Sequence, residues 1–149
     1  MNYRKATPKD IEQLSVLFNA YRMFYHKASD FEGGKTFINE RISNKDSEIF
    51  VAESPENNLL GFVQLYPLFS STRMKKYWLL NDLFVHPDAR GKGISVALIQ
   101  NAKTLVVETN ACGMYLETDK TNLIGNKLYP KTGFMLNTTA NFYEWSADQ

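Results

Sequence analysis

The chain is poor in the residues that hold disulfides and metals. Cys112 is its one cysteine, and His26 and His86 are its two histidines. A single thiol cannot close an internal disulfide, so nothing points to an oxidising compartment. No His/Cys/Asp spacing resembles a ligand set, and no metal is expected. Long apolar runs are missing too. The longest, such as Leu83–Val85 and Val96–Ile99, fall far short of the ~20 residues a spanning helix needs. Met1–Lys9 is polar and leads into no apolar signal core, so the expectation is a cytoplasmic protein without a membrane partner. There is no repeat, low-complexity tract or Pro/Gly-rich linker, which leaves residues 1–149 as one expected domain. Charge of one sign is also lacking. Seventeen Lys and Arg face sixteen Asp and Glu, for a net charge of +1. That balance argues against bulk attraction to nucleic acid, and a nucleic-acid partner is not expected.

The rest is globular composition, 44% hydrophobic and 22% charged, with one surplus. Aromatic residues reach 13%: ten Phe, eight Tyr and two Trp. Rings at this density must fill a core, line a pocket or form an interface.

Periodicity gives the elements. Asn2–Ala6 reads as an edge strand. Thr7-Pro8-Lys9-Asp10 starts a helix, with an N-cap, a first-turn proline and an early acid. Ile11, Leu14, Phe18, Tyr21 and Tyr25 extend it to about Lys27. Gly33-Gly34 reads as a break before a shorter helix carrying Phe37, Ile38, Arg41 and Ile42. Glu48–Glu53, Leu59–Leu68 and Tyr77–Val85 read as a three-strand meander, and the stretch from Gly93 to about Glu108 as a helix. Met114–Glu117 reads as a strand, Asn122–Tyr129 as a helix ended by Pro130, and Phe134–Trp145 as two strands or a hairpin. The order is α+β and mostly antiparallel, unlike a doubly wound sheet.

The strongest chemical signal is the junction Val85-His86-Pro87-Asp88-Ala89-Arg90-Gly91-Lys92-Gly93-Ile94-Ser95. Pro87 stops the strand, and the glycines let backbone N–H groups approach an anion. The following helix start adds unpaired donors and a partial positive charge, while Arg90 and Lys92 add mobile cations. This suits a phosphate or pyrophosphate. A Walker A loop would need glycine at position 86 and Ser or Thr at 93, which the sequence does not have. A dinucleotide fingerprint from Gly91 would need a glycine at position 96, where Val96 stands.

What remains, Arg90-Gly91-Lys92-Gly93-Ile94-Ser95, resembles motif A of the GCN5-related N-acetyltransferases, the GNAT family, Gln/Arg-x-x-Gly-x-Gly/Ala. Ser95 in the last place is the one departure. Leu79–Pro87 is similar to the family's fourth strand and its Val-x-Pro exit. Asn122–Tyr129 followed by Gly133-Phe134 is similar to the late Asn-x6-Tyr-x3-Gly-Phe motif. Gln64–Pro67, Phe69–Ser71 and Leu80–Val85 also resemble the polyamine and histone acetyltransferase branch. The resemblance implies a GNAT fold, with a sheet of six to seven strands, about four helices, and a splay between strands four and five.

The resemblance also implies an acetyl-CoA-dependent N-acetyltransferase in which a primary amine, on a small molecule or a peptide, attacks the thioester directly in a ternary complex. Acetyl-CoA is the implied cosubstrate. Phe84 and Val85 would meet its pantetheine arm through their main chain, and Arg90, Gly91, Lys92, Gly93, Ile94 and Ser95 its pyrophosphate. Asn122 and Lys127 are further cofactor contacts in this reading. Tyr129 matches the general acid, since a phenol stays protonated at neutral pH and can donate to a thiolate. For the base, Asp82 stands first because alternation puts it on the face of Leu80 and Phe84, where burial raises a carboxyl pKa. A structural carboxylate is the competing reading, and Glu117 at the end of the next strand is the second candidate. His26 suits either the acceptor pocket or a helix cap, and His86 reads as a loop residue.

The acceptor site is expected on the first two helices, with Tyr21, Phe24 and Tyr25 as rings and Asp30 and Glu32 as acids around an alkylammonium. Core packing explains the same rings. In the family the C-terminal strands often pair across a dimer, so Phe142, Tyr143 and Trp145 suggest a homodimer as readily as a core. A non-catalytic acyl-CoA sensor on the same fold is the alternative to the enzyme.

Overall fold

The computed structural model describes residues 1–148. It begins with a charged knot that joins the first strand, β1 (Asn2–Lys5), to the first helix. Both Arg4 Nη atoms donate to the Asp10 carboxylate, at 2.8 and 2.9 Å, and Arg4 reaches Glu53 as well. The Thr7 backbone N–H donates to Asp10 at 2.7 Å. Hydrogen bonding to Arg4 is the main reason the Asp10 carboxyl lies below the usual carboxylate range. Pro8–Asp10 forms a single 3-10 turn, and α1 (Ile11–Phe24) follows.

Helix α1 stops three residues before the expected end at Lys27. His26 takes a left-handed φ of 63°, its N–H donates to the Met23 carbonyl, and the Lys27 N–H donates to that of Arg22. This pair of bonds is a Schellman cap, so His26 is spent closing the helix. The next helix, α2 (Phe31–Asn44), starts earlier than expected and runs through Gly33-Gly34. The Asp30 side chain accepts the Gly33 N–H at 2.9 Å, a cap that outweighs the poor helix propensity of two glycines. Gly34 also earns its place by lying against the Phe18 ring, where an added Cβ would stand 3.7 Å from Cδ1.

The sheet holds β1, β2 (Glu48–Glu53), β3 (Leu59–Ser70), β4 (Lys75–Val85) and β5 (Met114–Tyr115), in that spatial order. The first three pairings are antiparallel, and β4–β5 is parallel. That makes five strands among the described residues, against the expected six to seven. The expected strands over 134–145 are absent: those residues form neither helix nor strand. Part of the reason is local. The Asn137 side-chain oxygen accepts the N–H groups of Thr139 and Ala140 at 2.9 and 3.1 Å, a turn that competes with extended pairing.

Strands β4 and β5 pair only at Trp78↔Met114 and Leu79↔Tyr115. From Leu80 to Val85 that edge of β4 carries no neighbouring strand among the described residues; a splay between strands four and five was expected there. Because β5 ends at Tyr115, Glu117 lies two residues past the strand rather than on it.

Helices α1 and α2 cover one sheet face, where Leu14, Phe18, Ile38, Val51, Phe62 and Phe84 form the core. On the other face, α3 (Ile94–Glu108) buries Ile94, Leu98, Ile99, Ala102 and Leu105. No described helix is long and apolar enough to cross a membrane. The chain divides into two compact units, Met1–Glu117 and the part from Thr118 onward. In the second unit, α4 (Leu123–Lys131) is capped by Asn122 and contains Pro130. Pro130 does not end the helix at Tyr129, because it sits in the last turn. There the Thr132 N–H and hydroxyl bond the Leu128 and Tyr129 carbonyls within 3.1 Å.

Candidate functional site

The exit of β4 leads through an exposed loop to the start of α3. His86, Pro87, Asp88 and Ala89 make a short turn in which the His86 ring accepts the Asp88 N–H at 3.2 Å. Arg90–Gly93 then runs exposed into α3. Gly91 and Gly93 have φ of 77° and 78°, values that L side chains rarely adopt, and an added Cβ at either would meet nothing within 4 Å. Their requirement is therefore conformational and not a matter of space. Gly93 is the N-cap of α3 and offers no side-chain cap. The first amides of the helix thus point outward, with Ile94 buried beneath them and Ser95 half-buried. Lys92 lies exposed on the same loop. The Arg90 Nε donates to the Val85 carbonyl at 3.1 Å, and its guanidinium lies 5.6 Å from the Phe84 ring centre and 5.9 Å from that of Phe24. Phe24, half exposed, therefore packs toward the loop cation.

Asp82 stands four residues before this exit, 3% exposed, on the face it shares with Phe84; Leu80, expected beside it, pairs with Leu65 and is turned to the opposite face by a bulge. Gln64, its register partner on β3, donates to Oδ2, and Asn81 Nδ2 donates to Oδ1 at 2.9 Å. Ser47 Oγ in turn donates to Gln64 Oε1 at 2.9 Å. Burial pushes the Asp82 carboxyl above its ordinary value, and bonds from Gln64, Asn81 and Tyr21 pull against that rise. At Asn81 the β3–β4 register shifts, so β4 bulges by one residue, and the Tyr21 hydroxyl donates to the Asn81 carbonyl at 3.1 Å.

Asp82 and Asn81 form part of the wall of a pocket of about 300 Å³. Phe18, Tyr21, Tyr25, Phe37 and Tyr66 supply its rings, and Arg22 and Lys27 its cations. Tyr21 stands edge-on to Tyr25, Phe62 and Phe84. Burial, and then the Asp82 charge, hold the Tyr66 phenol well above its usual range. Of the expected acceptor residues, Tyr21 and Tyr25 reach this pocket. Asp30 is spent on capping α2. Glu32 lines a different hollow of about 450 Å³ with Lys9, Glu12 and Lys35, where Lys35 pairs with Glu12. Glu117 is exposed.

Gln64, Tyr66, Asn81, Arg22 and Lys27 were not legible as site residues. Gln64 did carry a signal: it is the one polar side chain in the apolar run from Leu59 to Leu65. In the second unit, Asn122 accepts the Gly125 N–H and donates to Thr118 Oγ1, so its amide is engaged in capping. Lys127 is exposed, and the half-buried Tyr129 ring packs edge-on against Phe134 at 5.7 Å. No group of three or more His, Cys, Asp or Glu among the described residues is arranged to hold a metal ion.

Residues 13–134 match the model of the Acetyltransferase (GNAT) family. The uncharacterized N-acetyltransferase YhfO of Bacillus subtilis (strain 168) is 41% identical over 134 residues, covering 90% of this chain and 89% of its own. A probable acetyltransferase of Haemophilus influenzae is 33% identical over 146 residues, 98% of each chain. The crystal structure of a probable acetyltransferase superposes with a TM-score of 0.93 at 36% identity, covering 98% of this chain and 97% of the other. An exposed glycine loop at the start of α3, an open edge on β4 and a family match across most of the length agree, and the chain belongs to the acetyltransferase (GNAT) family, as an N-acetyltransferase that uses acetyl-CoA.

Proposed function

We propose that residues 1–149 act as one domain that acetylates a primary amine by direct attack in a ternary complex, with Asp82 as the base and Tyr129 as the acid. The observation that carries this reading is Asp82 itself, a buried carboxylate on the wall of an aromatic pocket, beside the open edge of β4. The family match from 13 to 134 runs through both compact units and supports the single domain.

The residues fit the cosubstrate. The β4 edge around Phe84 and Val85 has no strand beside it, the left-handed glycines hold the loop open, and the first turn of α3 lacks a side-chain cap. In this reading the amides of Gly91–Ser95 hold the pyrophosphate, with Arg90 and Lys92 as counter-charges. Acetyl-CoA supplies the activated acetyl thioester. Asp82 accepts the proton that the substrate ammonium must lose, and burial, by raising its pKa, makes it a stronger base than an exposed carboxylate. The neighbouring Gln64 and Asn81 fix both carboxylate oxygens. Tyr129 Oη gives its proton to the departing thiolate, a role supported by its place in the late motif. Asn122 and Lys127 remain cofactor contacts in this reading, although Asn122 already serves α4 as its cap.

For the acceptor, a buried acid among aromatic rings suits the ammonium of a primary amine, and the polyamine or histone branch is supported only by the resemblance over Gln64–Pro67, Phe69–Ser71 and Leu80–Val85. The exposed rings of Phe142, Tyr143 and Trp145 support a homodimer. Steady-state thiol release tests the chemistry. Tyr129→Phe should lower kcat by roughly 10²-fold while acetyl-CoA affinity, read by calorimetry, stays within twofold. An unchanged kcat removes Tyr129 from the mechanism.

A further inference from the structure

The acceptor pocket carries one acid and two bases. Asp82 is the acid, and hydrogen bonds already hold both of its oxygens. Arg22 and Lys27 are the bases, and neither forms an ion pair among the described residues. Among the other cations, Arg4 pairs with Asp10 and Glu53, Lys5 with Glu48, Lys35 with Glu12 and Arg41 with Asp46, while most of the remainder are exposed and form no ion pair among the described residues. Arg22 is also held in place, because its Nη1 donates to the Ala28 carbonyl at 3.1 Å across the capped end of α1. The same Schellman turn brings the Lys27 N–H onto the Arg22 carbonyl, which fixes the two cations on one short segment.

We propose that the acceptor is a small amine bearing a carboxylate on an apolar or aromatic body, an amino acid or a close analogue, with Arg22 and Lys27 as its carboxylate-binding residues. This rests on the pocket being the acceptor site of the acetyltransferase reading. A polyamine would set several positive charges against a wall that already carries two unpaired cations, and like charges brought together disfavour binding. A carboxylated amine satisfies both ends: its amine meets Asp82 and Asn81, its carboxylate meets the cations, and its body meets Tyr21, Tyr25, Phe37 and Tyr66. The volume of about 300 Å³ lies at the small end for ligand sites and suits one compact molecule better than a long chain.

The test titrates the protein, with coenzyme A present, with phenylalanine, leucine, the amide of each, and spermidine, by calorimetry. At least one acid should bind more tightly than its own amide and than spermidine. Arg22→Met and Lys27→Met should each reduce the acid-to-amide ratio roughly tenfold, the value of one lost charge-assisted contact. Arg22 also closes α1, so if Arg22→Met fails to fold, the exposed Lys27 carries the test. Binding by neither acid, tighter binding of the amides or spermidine, or a ratio unchanged in the variants that fold overturns the proposal. Thiol release with the same compounds separates the two readings. Turnover that is fastest with spermidine keeps the acetyltransferase mechanism and removes this specificity. Turnover with no amine removes the mechanism, while the binding order still decides the specificity.

Discussion

At the scale of single residues, the central feature is an acid inside a strand. Asp82 is buried with its oxygens bonded to Gln64 and Asn81, so its charge is tolerated but costly, and its carboxyl pKa is raised by that burial. In the window between the ordinary carboxylate value and the raised one, the folded protein holds a proton that the unfolded chain has released. Stability therefore falls as pH climbs through that window. Asp82→Asn should abolish this falling slope in denaturant melts taken across the window and lower kcat by roughly 10²- to 10³-fold. A variant as active as the parent makes Asp82 a structural carboxylate. Alternation along the strand placed Asp82 inside with Phe84, but the bulge turns Leu80 to the other face. Its partner was harder to read, because the bulge at Asn81 shifts the β3–β4 register and a simple count of residues does not reveal it. Arg22 and Lys27 were illegible for another reason: a cation's address on a pocket wall depends on the turn that follows α1.

At the scale of elements, the junction from β4 to α3 was the most legible part, because its chemistry is local. Proline ends a strand and glycine permits positive φ wherever they occur. Gly93→Ala isolates that contribution, since the new methyl has open space and the φ of 78° is the only obstacle. Straining or re-setting this turn should cost roughly 1–2 kcal/mol, read as a roughly tenfold weaker acetyl-CoA affinity. Unchanged affinity would mean that the loop amides do not hold the cosubstrate. Helix α2 shows where propensity misleads. Gly33-Gly34 looks like a breaker, yet the Asp30 cap and the contact of Gly34 with Phe18 keep both glycines helical. The reverse error lies in the tail, where the spacing of Phe134–Trp145 suits a strand but pairing needs a partner, and the Asn137 turn offers the backbone another bond.

At the scale of the whole molecule, the near-zero net charge conceals an uneven distribution: a basic loop at Arg90 and Lys92, a buried acid at Asp82, and two unpaired cations at the pocket. The aromatic surplus divides as well. Phe18, Phe62 and Phe84 are core, while Tyr21, Tyr25 and Tyr66 face the pocket. Phe142, Tyr143 and Trp145 are 66%, 85% and 83% exposed. If those rings bury against a second copy, sedimentation should show a dimer that the triple change to Ser converts to monomer; a parent that sediments as a monomer ends that reading. The central claim is acetyl transfer to an amine, and the most direct measurement follows thiol release from acetyl-CoA, together with the acetylated amine by mass spectrometry, across amino acids, polyamines, lysine peptides and aminoglycosides. Release should be saturable, depend on the amine, match product one to one and be lost in Asp82→Asn. Tight acetyl-CoA binding with no amine-dependent release across the panel would contradict it and leave an acyl-CoA sensor.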